Sequence, residues 1–269
     1  MSLEVISIGS SSSGNSYIIK AGSANILLDV GLAAKTITGA LDECGIELDS
    51  IDGVLVTHEH IDHVKSVRAI SRKCSNAVFY ASRGTVAGCS NFQYVPEDRL
   101  EIVRGGDCVA IGDAEVSCFR LSHDANEPLG YSVTADGQKL TVITDTGIVT
   151  EEIFNEMLDA DILVFEANHE VNLLMMGPYP YSVKQRIKGD LGHLSNVTSA
   201  EVLNAVLKRK NAADPDAMPS IMLAHLSDKN NSPYQAKLTI VGMLQEKGWL
   251  RDEHYKLTVA AREGLTYID

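Results

Sequence analysis

The sequence has little that would suit a membrane protein or a disordered chain. It contains no run of roughly 18 apolar residues, so we expect no membrane-spanning helix. Its first residues place Glu4 where a secretory signal would have a basic and then an apolar stretch, so we expect no such signal. Hydrophobic residues make up 45% of the 269 positions and charged residues 22%, which is ordinary for a globular protein with a sizeable core.

Cysteine is also scarce, and its placement excludes a disulfide scaffold. The chain has five cysteines, an odd number, and no two of them form a Cys-x-x-Cys pair. This favours a reducing compartment, so we expect a cytoplasmic protein in which the thiols fill small apolar spaces. The five are Cys44, Cys74, Cys89, Cys108 and Cys118.

Positive charge is in deficit. The chain has 23 Lys and Arg against 36 Asp and Glu, which gives a net charge of −13. Proteins that coat nucleic acid bind phosphate through many Lys and Arg side chains, so this class is disfavoured. An enzyme that holds phosphate at one local site is not excluded, because bound cations would dominate the charge there.

Short apolar runs alternate with amphipathic stretches, which predicts a layered α/β fold. No linker or repeat divides the chain, so we expect one domain over residues 1–269. The predicted strands are Leu3–Ile8, Tyr17–Lys20, Asn25–Asp29, Gly53–Thr57, Ala77–Tyr80, Glu115–Arg120, Tyr131–Thr134, Lys139–Thr144, Ile162–Glu166, Ser220–Ala224 and Tyr255–Ala260. The predicted helices are Ala33–Cys44, Asp62–Cys74, Ala167–Met175, Glu151–Leu158, Ser182–Lys188, Asn196–Lys208 and Pro233–Lys247.

The most informative feature is a histidine cluster directly after the strand Gly53–Thr57. His58 and His60 leave the strand end on the same side and can bind one metal ion. Asp62 and His63 begin the next helix, point differently and suit a second ion. Imidazole and carboxylate donors favour zinc, manganese or iron. The alternative is a set of solvated loop histidines.

Three more candidate ligands follow predicted strands. They are His123, Asp145 and His225, each directly after an apolar run. One such residue alone is often only the start of a loop. Three of them in a chain that also carries the histidine cluster are better explained as one metal site at the carboxyl ends of the strands. Asp145 suits a bridging position, because its two oxygens can bind two cations.

These residues, in this order, resemble the metallo-β-lactamase superfamily. The resemblance extends from about Leu3 to Thr258 and implies an α/β (α+β) fold, the four-layer αββα sandwich, with two metal ions between the sheets. By that analogy His58, His60 and His123 bind one ion, while Asp62, His63 and His225 bind the other. Asp145 bridges them. Zinc is favoured, with manganese or iron as the alternatives.

Longer motifs resemble the bacterial YycJ/WalJ branch, which is associated with 5′-to-3′ DNA exonuclease activity. They include the serine-rich stretch Gly9–Ser16, the run Met176–Tyr181 and the run Gly189–Asn196. His60 stands where the flavo-diiron branch has Glu, which disfavours redox chemistry. The short stretch between Asp145 and His225 leaves no room for the extra domain of the RNA-processing β-CASP enzymes.

The resemblance implies a phosphodiesterase with DNA as the favoured substrate. The lack of a long apolar run leads us to expect no membrane contact, and protein partners are not identified. We expect a metal-bridging hydroxide that attacks phosphorus, with Asp62 orienting it. His193 is the candidate general acid, and Glu166 would pair with it and hold it protonated. The plain alternative for His193 is a loop histidine before a helix start.

Two other functions remain as alternatives. One is hydrolysis of a small molecule: a cyclic or nucleotide phosphodiester, a thioester or a lactone. The other is a metal-stabilised binding module without activity. The pair Glu166 and His193 favours the nuclease, because poor alkoxide leaving groups need a general acid.

Several polar residues have no assigned role. The loop Ser10–Ser16 either presents donors to a phosphate or is a turn between two strands. His169 and His254 are left unassigned. Basic side chains that would contact DNA, or simply face solvent on their helices, are Lys65, Arg68, Arg72, Lys184, Arg186 and Lys188.

Overall fold

The computed structural model describes residues 3–268. Its contacts divide the chain into two compact units, each assembled from separate stretches of sequence. The first unit contains the residues up to Arg120, then Ala125–Lys139 and Ala261–Tyr267, and the second contains Leu121–Asp124 and Leu140–Ala260. The single domain expected from the sequence stays a prediction.

The first unit contains a seven-stranded sheet with the strand order β14-β1-β2-β3-β4-β5-β6. Every residue of β1 except the first is buried, so this strand lies in the interior rather than at a solvated face. The strands are β1 (Glu4–Ser11), β2 (Gly14–Ala21), β3 (Ala24–Leu28), β4 (Ile51–Leu55), β5 (Val78–Ala81), β6 (Leu100–Ile102) and β14 (Thr266–Tyr267).

Strands β3, β4 and β5 pair in parallel, so helices must connect them. The helix α1 (Ala34–Glu43) joins the first two, and α2 (Ile61–Val64) with α3 (Val67–Lys73) joins the next two. Each longer helix buries one face, for example Ile37 and Leu41 of α1. The parallel pairing brings the carboxyl ends of β3 and β4 to one edge of the sheet.

The first unit also holds three antiparallel strands, β7 (Cys108–Ile111), β8 (Ala114–Arg120) and β9 (Leu129–Ala135), and the short helix α4 (Arg83–Gly88). The second unit contains most of β10 (Gln138–Ile143) and all of β11 (Ile162–Glu166), β12 (Ser220–Ala224) and β13 (Lys256–Val259). These four strands are parallel, and their register aligns Ile143, Phe165 and Leu223. The residues that follow therefore lie at one edge.

Five helices belong to the second unit. They are α5 (Glu151–Leu158), α6 (Val171–Met176), α7 (Tyr181–Lys188), α8 (Asn196–Ala213) and α9 (Pro233–Glu246). The helices α5, α8 and α9 bury apolar side chains such as Ile153, Leu203 and Ile240. The helix α7 buries none. Among residues 3–268, no helix is both long and apolar enough to cross a membrane.

All the predicted strands and helices are found, with two kinds of difference. The single helix expected over Asp62–Cys74 is two helices, because the Ser66 amide donates to the Val30 carbonyl at 2.9 Å instead of continuing the helix. The strands β6, β7 and β14 and the helix α4 were not predicted. They are short and partly exposed, so they lack a periodic apolar pattern.

Candidate metal centre

The histidine cluster of the first unit lies on the loop between β4 and α2. His58 and His63 are fully buried, whereas His60 and Asp62 are half-buried. The Nε2 atom of His58 lies 3.0 Å from the Nδ1 atom of His60, and the Nε2 atom of His63 lies 3.3 Å from an oxygen of Asp62. The motif therefore brings nitrogen and oxygen atoms together that can each donate a lone pair to a cation.

A buried carboxylate, Asp29, holds two of these rings. One of its oxygens lies 2.7 Å from the Nδ1 atom of His63 and accepts a hydrogen bond from the Thr57 hydroxyl at 2.9 Å. That hydroxyl also lies 3.0 Å from the Nδ1 atom of His58. When both imidazoles donate from Nδ1, the Nε2 atoms of both keep the lone pair that a metal needs.

Sequence reasoning missed Asp29. It directly follows the apolar strand β3, which is also the ordinary place for a loop to begin. In the structure Asp29 has a φ of 57°, in the left-handed region that few residues other than glycine adopt. Such a conformation costs about 1–3 kcal/mol and is found most often at functional sites.

The serine-rich loop is the hairpin turn between β1 and β2. Asn15 organises it, because its side-chain oxygen accepts from the Ser11 amide at 3.1 Å and its amide nitrogen donates to the Ser11 carbonyl at 2.9 Å. The same nitrogen lies 3.3 Å from the Nε2 atom of His63. Asn15 is therefore the part of this loop that reaches the histidine cluster.

Gly31 is required for this packing. A Cβ atom on it would lie 1.5 Å from the carbonyl oxygen of Asp62. The Val30 amide next to it donates to the His63 carbonyl at 2.9 Å. Only glycine allows the chain to pass this close beneath the start of α2.

In the second unit, the candidate ligands lie at the ends of the strands that precede them. Asp145 follows β10, Glu166 ends β11 and His225 follows β12, so the parallel register brings them together. The Nε2 atom of His225 lies 3.3 Å from Asp145 Oδ1, and the Nε2 atom of His123 lies 3.7 Å from the same oxygen. Both Asp145 and His225 have a positive φ, of 59° and 53°.

Glu166 is fully buried beneath these residues and contacts two imidazoles. Its Oε1 atom lies 2.8 Å from the Nδ1 atom of His193 and 3.0 Å from that of His225. Burial alone would raise the pKa of Glu166, but the His193 and His225 rings outweigh it and hold the pKa well below its usual value. Glu166 is therefore an anion that accepts hydrogen bonds from both rings.

His123 is oriented by the backbone. Its Nδ1 atom lies 3.1 Å from the carbonyl oxygen of Gly192, so a proton donated there leaves Nε2 facing Asp145. Burial lowers the pKa of His123, although the Asp145 charge opposes it. A neutral imidazole is the form that binds metal.

Two histidines remain outside these contacts. His169 is buried, and within the described residues its Nδ1 atom has no hydrogen-bond partner. Burial lowers the pKa of His169 to about 4, so it is neutral at physiological pH. His254 lies near Trp249, with the ring centroids 5.5 Å apart, and is not part of either donor set.

The donors fit divalent cations. Three of the histidines have an oxygen acceptor at Nδ1: the Asp29 carboxylate for His63, the Gly192 carbonyl for His123 and the Glu166 carboxylate for His225. This arrangement fixes the ring orientation of metal-ligating histidines and raises their basicity. The structure therefore contains both the imidazole and carboxylate groups that can bind a metal and the hydrogen-bond acceptors that orient the imidazoles.

Comparison with known proteins agrees with this chemistry. A family model described as "Beta-lactamase superfamily domain" matches residues 24–212. Exodeoxyribonuclease YycJ of Bacillus anthracis is 34% identical over 257 residues, which cover 96% of this chain and 95% of that protein. Exodeoxyribonuclease WalJ of Streptococcus pneumoniae is 35% identical over 242 residues, covering 89% of this chain and 87% of that protein.

The chain belongs to the metallo-β-lactamase superfamily. Within the superfamily it is of the YycJ/WalJ type, so the predicted family is confirmed. The metallo-β-lactamase fold protein YhfI from Bacillus subtilis superposes with a TM-score of 0.70 at 12% identity, covering 98% of both chains. This similarity confirms the predicted fold class, the αββα metallo-β-lactamase sandwich.

Proposed function

We propose that this protein is a metal-dependent exodeoxyribonuclease that degrades DNA from the 5′ end. The observation that carries the proposal is the similarity, over nearly the full length of both chains, to a protein named exodeoxyribonuclease YycJ. The buried imidazole and carboxylate donors at the strand ends of both units support it. Five free cysteines agree with a reducing cytoplasm, where we place the protein.

The ligand assignment is part of the proposal. His58, His60 and His123 would hold one divalent ion, and Asp62, His63 and His225 would hold the other. Asp145 would serve both. Zinc is favoured, with manganese or iron as the alternatives, because five of the seven proposed ligands are imidazoles. When bound, such a pair of cations supplies Lewis acidity, which lowers the pKa of water and offsets the charge of a phosphodiester.

The protein's own residues then supply orientation and proton transfer. Asp62 orients the attacking water with its carboxylate. His193 gives a proton from Nε2 to the leaving sugar oxygen, because its Nδ1 atom is bound to Glu166 at 2.8 Å. Glu166 stabilises the protonated ring, as a buried carboxylate does for a general-acid histidine. The side chain of His193 is 17% exposed, so a substrate can reach it.

A substrate panel tests the proposal. Protein with its metal content measured by elemental analysis is incubated with end-labelled single- and double-stranded DNA, the same strands as RNA, an aryl phosphodiester and a thioester. We expect release of nucleotides from DNA and from the 5′ end. The matched control is His58→Ala, which should lose both metal and activity. Thioester cleavage without any nucleic-acid product would overturn the proposal in favour of a small-molecule hydrolase.

A further inference from the structure

The segment 171–189 has no role in the chemistry described above, yet its composition is unusual for this chain. It contains Lys184, Arg186 and Lys188 and no Asp or Glu, in a protein with 36 acidic residues. It also contains the run Met176–Tyr181, rich in aromatic and proline residues. A segment that combines cations with aromatic and apolar side chains is typical of surfaces that bind single-stranded nucleic acid.

In the structure this segment forms α6 and α7, which contribute almost nothing to the core. Leu174 is the buried residue of α6, and α7 has none. Met176 is 87% exposed and Tyr181 is 71% exposed. Of the fourteen large hydrophobic side chains exposed within residues 3–268, five lie between positions 173 and 191: Leu173, Met175, Met176, Tyr181 and Leu191.

Polar contacts, rather than apolar packing, hold these helices in place. Arg186 pairs with Asp124, the residue next to His123. The Nζ atom of Lys184 donates to the carbonyls of Met175 and Gly177 at 2.8 and 2.7 Å. Lys184 and Arg186 were candidate DNA contacts in the sequence. In the structure Arg186 holds α7 in place, and Lys184 caps the carbonyl groups at the end of α6.

The segment is tied directly to the proposed general acid. The backbone amide of His193 donates to the Ile187 carbonyl of α7 at 2.8 Å. Leu191, two residues before His193, accepts a hydrogen bond from the Asp124 amide at 3.0 Å and is 56% exposed. The last turn of α7 and Leu191 are therefore part of the chain that positions His193.

We propose that Met176, Tyr181, Lys188 and Leu191 form a platform for the single DNA strand that enters the site. This inference rests on the proposed function and specifies its substrate. Bases stack on the Tyr181 ring and pack against Met176 and Leu191, and the exposed Lys188 pairs with a phosphate. Stacking on apolar and aromatic side chains accepts every base, so the platform binds without sequence preference.

Direct binding tests the platform without any cleavage. A fluorescein-labelled single-stranded oligodeoxynucleotide is titrated with metal-free protein in a chelator, and the fluorescence anisotropy gives the Kd. Tyr181→Ala should weaken binding about fivefold or more, since stacking on an aromatic ring contributes about 1–3 kcal/mol per base, and Met176→Ala should weaken binding by a smaller factor. Tyr181→Phe keeps the ring and should restore binding. Tyr234→Ala removes an equally exposed tyrosine on α9 and is the matched control.

The outcomes separate this inference from the proposed function. If the double variant Tyr181→Ala/Met176→Ala bound the oligonucleotide with the Kd of the unaltered protein, the platform would be overturned. This holds even if the unaltered, metal-loaded protein degrades DNA. Failure of that unaltered protein to cleave any nucleic acid would overturn the proposed function, while the anisotropy still decides the platform. Binding of anionic lipid vesicles, or self-association, in place of the oligonucleotide would also count against it.

Discussion

Replacing Asp29 by Asn should weaken metal binding although Asp29 is not one of the proposed ligands. Asn accepts the left-handed backbone that Asp29 adopts, so the substitution tests the side chain rather than the fold. The amide oxygen can still accept the Thr57 backbone amide, now bound at 2.9 Å. The amide nitrogen then faces the Nδ1 atom of His63, which must become an acceptor. The His63 proton moves to Nε2, the nitrogen that the ion requires.

The size of the effect follows from what is lost. One charge-assisted hydrogen bond, at 2.7 Å to His63, disappears, and such bonds contribute about 1.5–3 kcal/mol. Substitution of residues that orient metal-binding histidines lowers metal affinity about 10- to 100-fold, or about 1.4–2.8 kcal/mol. The two estimates agree. The Thr57 hydroxyl links Asp29 to His58 as well, so binding of both proposed ions should weaken.

Competition with a chromophoric zinc chelator measures this affinity. The control is Asp52→Asn, because the Asp52 carboxylate also accepts a backbone amide, from Asn25 at 2.9 Å, but is exposed. We expect the control to bind zinc within about twofold of the unaltered protein, given that surface substitutions change little. Equal zinc affinity in folded Asp29→Asn would refute the reasoning.

Three further changes have defined outcomes. His193→Ala should retain its metal but turn over labelled DNA at least about tenfold more slowly, and unchanged turnover would remove His193 from the proposed mechanism. Because the pKa of Glu166 lies below its usual 4.5, the metal-free protein should lose stability as pH falls below that value. The free energy of unfolding, measured with urea between acidic and neutral pH, should depend less on pH in Glu166→Gln than in the unaltered protein. Identical pH profiles of the two proteins would contradict this. Gly31→Ala should lower the melting temperature and the zinc content together, whereas Gly39→Ala, with open space around its Cβ position, should not lower either.

Most of the fold could be predicted from the sequence, because strands and helices here have strong local patterns. The strands β11 and β12 contain the apolar runs Ile162–Phe165 and Ile221–Ala224, and the end of β4 leads into the apolar run Val54–Val56. The positions of His58, Asp145 and His225 after such strands were predictable for the same reason. Their role as ligands stays a prediction, since it depends on chemistry that the polypeptide alone does not include.

The supporting contacts of the site could not be predicted. Asp29 reaches His63 from 34 positions away, and Glu166 reaches His225 from 59 positions away. Such pairs form because parallel pairing brings distant strand ends to one edge, and no local pattern encodes which carboxylate meets which ring. The break between α2 and α3 has a similar origin, because the Ser66 amide binds a carbonyl from another stretch of the chain.

The absence of any buried side chain on α7 has an evolutionary consequence. Substitutions along its outer surface remove no core packing. They therefore lower the free energy of unfolding less than substitutions of buried residues in α8 or α9 do. Descendants of one ancestral enzyme can therefore alter what they recognise at this helix while the proposed metal ligands are retained. Divergence in specificity among these hydrolases should be concentrated there.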